Sequence, residues 1–206
     1  MSFCRAVLVL GVFLGLAGCM EPPPIADEPR PVPYVSRADG GHMLQEIPAD
    51  RVDPRFQRTL VGLVTDEAPG TIIIDTATRH LYLVQDERSA LRYGISVGRE
   101  GFAWSGEAVV NRKSTWPAWT PPPEMIRRQP ELAQWASGRP GGPKNPLGAR
   151  AIYLAQDGRD TGYRIHGTPE WWTIGKAASS GCIRMVNQDV IDLFDRVPVG
   201  AKVIVR

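Results

Sequence analysis

A mainly β domain with one or two short helices is the fold class this sequence predicts, and three observations predict it. Among 206 residues there are 21 glycines and 19 prolines, close to one residue in five, a density that favours turns and short strands over long helices. Several stretches are rich in β-branched residues or alternate apolar and polar side chains, as half-buried strands do. One stretch, 187–197, carries apolar residues at clear helical spacing (Val190, Leu193, Phe194, Val197). The 43% hydrophobic content suits a globular core, and the length suggests one domain with an extension. A formal net charge of +2 gives no case for nucleic acid or for a polybasic membrane patch. No internal repeat is visible.

Residues 1–18 read as an export signal: Arg5 gives a positive start, 6–16 is an apolar run, and small residues follow. The run is shorter than the about 20 residues that a membrane span needs. Its end, Leu16-Ala17-Gly18-Cys19, resembles the lipobox of bacterial lipoproteins. That resemblance implies cleavage before Cys19 and acylation of its thiol and new amine, which anchors the chain to a membrane. Met20 stands where an Asp would favour the inner membrane of a Gram-negative cell, so the resemblance leans to the outer membrane, facing the periplasm. Residues 19–68 read as a tether and lead-in. Their start is proline-dense and polar, hence extended and semi-rigid. Phe56, Leu60 and Leu63 suggest a short helix within 51–64.

The compact domain is placed at 69–206. Residues 71–75 form a β-branched strand, 76–79 a turn and 80–85 the returning strand. Alternation over 90–97 predicts another strand, 98–106 a loop, and 107–113 a further strand. Two short helices are expected at 124–129 and 130–136, then a glycine-proline loop at 137–148. Strands are expected at 149–154 and 163–166. The helix at 187–197 has Asn187 as candidate N-cap and Asp189 in its first turn, and 201–206 is the closing strand.

The chain has three cysteines. With Cys4 in the discarded signal and Cys19 lipidated, Cys182 is left without a disulfide partner, which makes it a candidate nucleophile. It stands in Ser179-Ser180-Gly181-Cys182-Ile183-Arg184-Met185, downstream of His166-Gly167-Thr168. An imidazole close to the sulfur would raise its thiolate fraction. The Ser-Ser-Gly stretch can turn tightly and aim the Gly181 and Cys182 amides at an oxyanion. His166 is expected to end its strand, with Gly167 permitting an abrupt turn.

These two runs strongly resemble the catalytic signature of the L,D-transpeptidase family (YkuD type), and the resemblance extends over about 69–206, including Gly70-Thr71-Ile72-Ile73-Ile74-Asp75 and Asn145-Pro146-Leu147-Gly148. It implies a mixed β-sandwich or barrel-like catalytic domain. It makes Cys182 the nucleophile, His166 the general base, the Gly167 carbonyl the group that orients the imidazole, and the Gly181 amide an oxyanion donor. Ser180 stands where many relatives carry His. The implied reaction attaches the diaminopimelate carbonyl of a tetrapeptide stem to the sulfur, releases D-alanine, and passes the acyl group to an amine of another stem or of a wall-anchored lipoprotein. No cofactor is implied. Hydrolytic relatives would use the same acyl-enzyme, and a wall-binding lipoprotein without activity is the alternative of another class.

Arg184 is a candidate substrate-carboxylate ligand, with an ion pair to Asp189 or Asp192 as the structural alternative. Ser179 and Ser180 are candidate substrate contacts. Trp171 and Trp172, between His166 and Cys182, are candidate cleft walls. Packing is expected for Trp104 and Trp135. His42 and His80 have no metal-type partners nearby, and no HExxH, CxxC or phosphate-cradling glycine loop occurs, so metal catalysis has no sequence support.

Overall fold

A computed structural model describes residues 34–99, 104–179 and 181–206. The export signal, Cys19 and the start of the tether lie outside the described residues, as does Ser180. Among the described residues thirteen strands run in order: β1 (Arg37–Asp39), β2 (His42–Leu44), β3 (Thr59–Gly62), β4 (Ile72–Asp75), β5 (His80–Asp86), β6 (Ser89–Gly94), β7 (Val97–Gly98), β8 (Gly106–Thr115), β9 (Arg150–Gln156), β10 (Arg159–Thr168), β11 (Ala177–Ser179), β12 (Ile183–Val186) and β13 (Lys202–Val205). Two α-helices, α1 (Pro123–Arg128) and α2 (Asn187–Arg196), accompany them. The predicted mainly β class, with few and short helices, is what the chain adopts.

Nine strands form one mixed sheet in the order β12-β10-β9-β8-β13-β4-β5-β6-β3. The pairs β10·β12 and β13·β4 are parallel. The sheet curls until its ends nearly meet. Ser96, just past β6, exchanges two backbone hydrogen bonds of 2.9 Å with Arg184 on β12 at the opposite end. Alternation places Ile72 and Ile74, Leu81 and Leu83, Ile152 and Leu154, Ile165, and Ile183 and Met185 in one buried core, which α2 joins through Val190, Leu193 and Val197.

The segment before Pro69 takes part in this packing. Tyr34, Ile47 and Val52 are buried with Ile174 and Val186, and Phe56 and Trp171 pack against them. The helix expected within 51–64 is absent. Asp53 accepts from the backbone N–H of Arg55 and Pro54 sits at the first position, which gives short 3-10 turns at Ala49–Arg51 and Pro54–Phe56. Thr59-Leu60-Val61 then pairs with β6, and Leu60 is 57% exposed, so the helical spacing misled.

Other boundaries moved as well. The strand expected over 90–97 breaks after Gly94 and resumes as β7, which pairs in parallel with β11. The second expected helix, after 129, is a 3-10 helix at Pro130–Trp135. β10 runs through Gly167 to Thr168, so His166 does not end a strand and Gly167 makes no turn: it pairs with Met185. Glycine is required there for another reason. A Cβ at Gly167 would lie 2.2 Å from Oδ1 of Asn187. Asn187 is not the N-cap either. Val186 takes that place, and the Asn187 amide accepts from the N–H of Ala149 and donates to the carbonyl of Thr168. It ties α2 to β9 and β10 beneath the His166 run.

Candidate active site

β10 and β12 position the two candidate catalytic groups. Their register pairs Ile165 with Ile183 and His166 with Arg184. Ile165, Ile183 and Met185 face the core, so His166 and Arg184 face the other way. Cys182 directly precedes Ile183, in the bend before β12, where the Arg164 backbone amide reaches its thiol. Cys182 lies two residues before Arg184, the register partner of His166, so the two candidate groups come to neighbouring places at that end of the β10·β12 pair. The sequence interval between them is spent on the 3-10 turn Trp171–Thr173 and on β11.

His166 is 4% exposed, and its Nδ1 lies 2.6 Å from the carbonyl oxygen of Gly167. A carbonyl only accepts, so Nδ1 carries the proton and Nε2 is left as an acceptor. Burial pushes the imidazole pKa down to about 4; the Gly167 carbonyl opposes this, and the Arg184 and Arg164 charges add to it. Burial also raises the Cys182 thiol, while the Arg164 backbone amide and the guanidiniums of Arg164 and Arg184 pull it back. At neutral pH both groups are uncharged in the resting state. The arrangement suits proton transfer from sulfur to imidazole during attack, with no standing thiolate–imidazolium pair.

The turn before the sulfur is held by Ser179, which is 1% exposed. Its hydroxyl donates to the carbonyl of Cys182 at 2.6 Å and accepts from the N–H of Gly181 at 3.1 Å. Two expectations change. Ser179 is a buried brace and offers no surface to a substrate. The Gly181 amide, expected to face an oxyanion, is spent on that brace, and the backbone at Cys182 itself is left as the candidate donor.

Arg184 is paired with neither Asp189 nor Asp192. Its Nη1 lies 2.9 Å from Oε2 of Glu170, in the loop that joins the two candidate catalytic strands. Asp189 and Asp192 are engaged by Arg58, an interaction that local sequence spacing does not show. Trp172 is 56% exposed, whereas Trp171 packs against the cluster of Tyr34, Ile47 and Val52. The two rings meet edge to face with centroids 5.8 Å apart. Trp172 alone of the pair presents a free face. Trp104 stacks on Tyr163 and packs against the core, as expected. His80 Nε2 donates to the Arg55 carbonyl, and His42 lies against the Trp116 ring. Among the described residues no group of three or more His, Cys, Asp or Glu could hold a metal ion.

A family model described as the YkuD L,D-transpeptidase catalytic domain matches residues 69–205. The chain is 34% identical over 148 residues to a protein of Escherichia coli (strain K12) named as the probable L,D-transpeptidase ErfK/SrfK, covering 68% of this chain and 45% of that one. It is 31% identical over 147 residues to the probable L,D-transpeptidase YbiS of the same organism, covering 68% and 46%. The chain thus spans about half the length of these curated relatives. A crystal structure from Brucella melitensis, named as a probable carnitine operon oxidoreductase caia, is 49% identical, with a TM-score of 0.53, over 75% of this chain and 96% of that one. With the family model covering most of the chain, this protein belongs to the YkuD L,D-transpeptidase catalytic-domain family.

Proposed function

We propose that the protein is a peptidoglycan L,D-transpeptidase. The observation that supports this reading is the register that sets His166 opposite Arg184, two residues past Cys182, with the imidazole tautomer set by the Gly167 carbonyl. Cys182 Sγ attacks the diaminopimelate carbonyl of a tetrapeptide stem while His166 Nε2 takes the thiol proton. The C–N bond to D-alanine breaks as the imidazolium returns a proton to the leaving amine, and a thioester remains. An acceptor amine attacks the thioester and loses a proton to His166, and the C–S bond breaks as the imidazolium returns that proton to the Cys182 sulfur. The acceptor is a second stem or the lysine of a wall-anchored lipoprotein. The Cys182 backbone amide stabilises the oxyanion at each tetrahedral stage, and Arg184 receives a carboxylate of the stem once Glu170 yields it.

The export signal and lipobox-like Cys19 support a periplasmic site of action with a lipid anchor in the outer membrane. A redox activity, as the name of the Brucella protein suggests, has less behind it: the chain carries no dinucleotide-type glycine fingerprint, and its described cysteine, Cys182, is free. Purified muropeptides incubated with the protein, with and without an added amine, test the proposal. Cross-linked or amine-exchanged products that vanish in Cys182→Ala support it. Shortened products alone would make the enzyme a hydrolase.

A further inference from the structure

The face that carries His166 carries a second row of side chains, reaching across the strands toward Cys182. Arg112 on β8 is paired with Tyr153 on β9, and Tyr153 with Arg164 on β10. Paired residues project to one face, so Arg112, Tyr153 and Arg164 form a line over three strands spaced about 4.8 Å apart, with Cys182 beyond Arg164 in the turn just before β12. Arg184 lies in a different direction from the sulfur, along β12.

The row is built to present guanidinium edges. The Cζ atoms of Arg112 and Arg164 lie 3.6 and 5.0 Å from the centroid of the Tyr153 ring, which is itself buried. A guanidinium stacked on an aromatic face keeps its N–H fork free in its own plane. Arg112 is exposed and makes no ion pair among the described residues. The Arg164 fork is partly spent: Nη1 donates to the Gly162 carbonyl and Nη2 meets the half-exposed Asp160 carboxylate at 3.4 Å, so the open fork of the pair is that of Arg112. Two like charges share one ring with little to neutralise them, so an anion laid along the row relieves their repulsion.

We infer that Arg112 and Arg164, set on Tyr153, form a subsite for a carboxylate of the donor stem other than that of the leaving D-alanine. This rests on the transpeptidase reading above. In that donor the α-carboxylate of the γ-linked glutamate and the second carboxylate of diaminopimelate both lie within a residue or two of the attacked carbonyl. At about 3.5 Å per extended residue that reach is about 4–7 Å, enough to carry a carboxylate past Arg164 toward the Tyr153 ring, over which the Arg112 guanidinium is laid at 3.6 Å from the centroid. The subsite distinguishes stems with free carboxylates from amidated ones.

The test measures kcat/KM for thioester formation with tetrapeptide donors carrying a carboxylate or a carboxamide at the glutamate and at the diaminopimelate position. The wild-type protein is expected to prefer one carboxylate donor over its amide by about tenfold, the size of one charge-assisted hydrogen bond. Arg112→Gln narrows that preference to about threefold or less, and Arg112→Lys narrows it too, because the charge remains but the stacked fork is lost. An unchanged preference in Arg112→Gln, with thioester still forming, overturns the subsite alone. A preference kept in full by Arg112→Lys also overturns it, because charge without the fork would then suffice. If wild-type protein forms no thioester with any donor, the transpeptidase reading falls and the subsite with it.

Discussion

The Glu170 carboxylate lies 2.9 Å from the Arg184 guanidinium, two residues past the candidate nucleophile. It stands where a substrate carboxylate is proposed to bind. The pair is partly exposed, and such pairs contribute only about 0–1 kcal/mol to stability. Glu170→Gln should therefore leave the melting temperature nearly unchanged. It should lower KM for a tetrapeptide donor about three- to tenfold by removing an internal competitor, an effect on the order of 1 kcal/mol. Steady-state kinetics on purified muropeptides check this. A raised KM would mean that Glu170 orders the loop that the substrate needs.

The pH profile follows from burial of His166. An ordinary imidazole takes its proton near pH 6.5; here burial pushes the value down to about 4. The base is in its active, neutral form above that value, so the acid limb of kcat/KM for acylation should fall near pH 4 to 5. The raised Cys182 thiol keeps free thiolate scarce until above its usual range. Alkylation of Cys182 by iodoacetamide should accordingly be slow at pH 7 and rise only in the alkaline range. An acid limb near 6.5 would show that the imidazole is not buried in the working enzyme.

Gly167 is predicted to tolerate no side chain. A Cβ there would sit 2.2 Å from Asn187 Oδ1 and 3.1 Å from the backbone nitrogen of Ala149. Gly167→Ala must push Asn187 out of its bonds to Ala149 and Thr168, at a cost of about 1–3 kcal/mol. It also shifts the carbonyl that orients His166. Thermal unfolding and acylation rate should both fall; a variant stable and active as wild type would show that the helix is not held this way.

Asp189 gives a stability prediction. It is fully buried and accepts from the Tyr34 hydroxyl at 2.9 Å, with Arg58 Nε 3.7 Å away. Burial raises its pKa to about 7, against the ordinary 3.8. Between those values the folded protein holds a proton that the unfolded chain has released. This group's contribution therefore falls as pH rises from about 4 to about 7. The melting temperature of Asp189→Asn minus that of wild type should rise across the same window. A flat difference would mean that Arg58 keeps the carboxylate ionised throughout.

Much of the architecture was legible because it is written in local patterns. The apolar stripe of α2, the β-branched run and hairpin of β4 and β5, and the alternation over β6 set those elements within a few residues, and the His166 and Cys182 runs pointed to the candidate site. What escaped was carried by distant pairings. Tyr34 bonds Asp189 across 155 residues, so the early segment looked like a tether while its described part is packed against α2. Asn187 has the chemistry of an N-cap, yet a tertiary demand at Ala149 and Thr168 claims its amide. The partner of Arg184 lies on a loop whose approach no spacing rule encodes. Gly167 was flagged as special, but crowding by Asn187 is the cause and turn formation is not.

The central claim is that a stem peptide becomes covalently attached to the Cys182 sulfur with His166 as base. Intact-protein mass spectrometry after mixing with a tetrapeptide donor measures this directly. The predicted result is a mass increase equal to the stem minus D-alanine, located on Cys182, absent in Cys182→Ala and slowed at least about a hundredfold in His166→Ala. An adduct that persists in Cys182→Ala, or that forms at the wild-type rate without the imidazole, would contradict it.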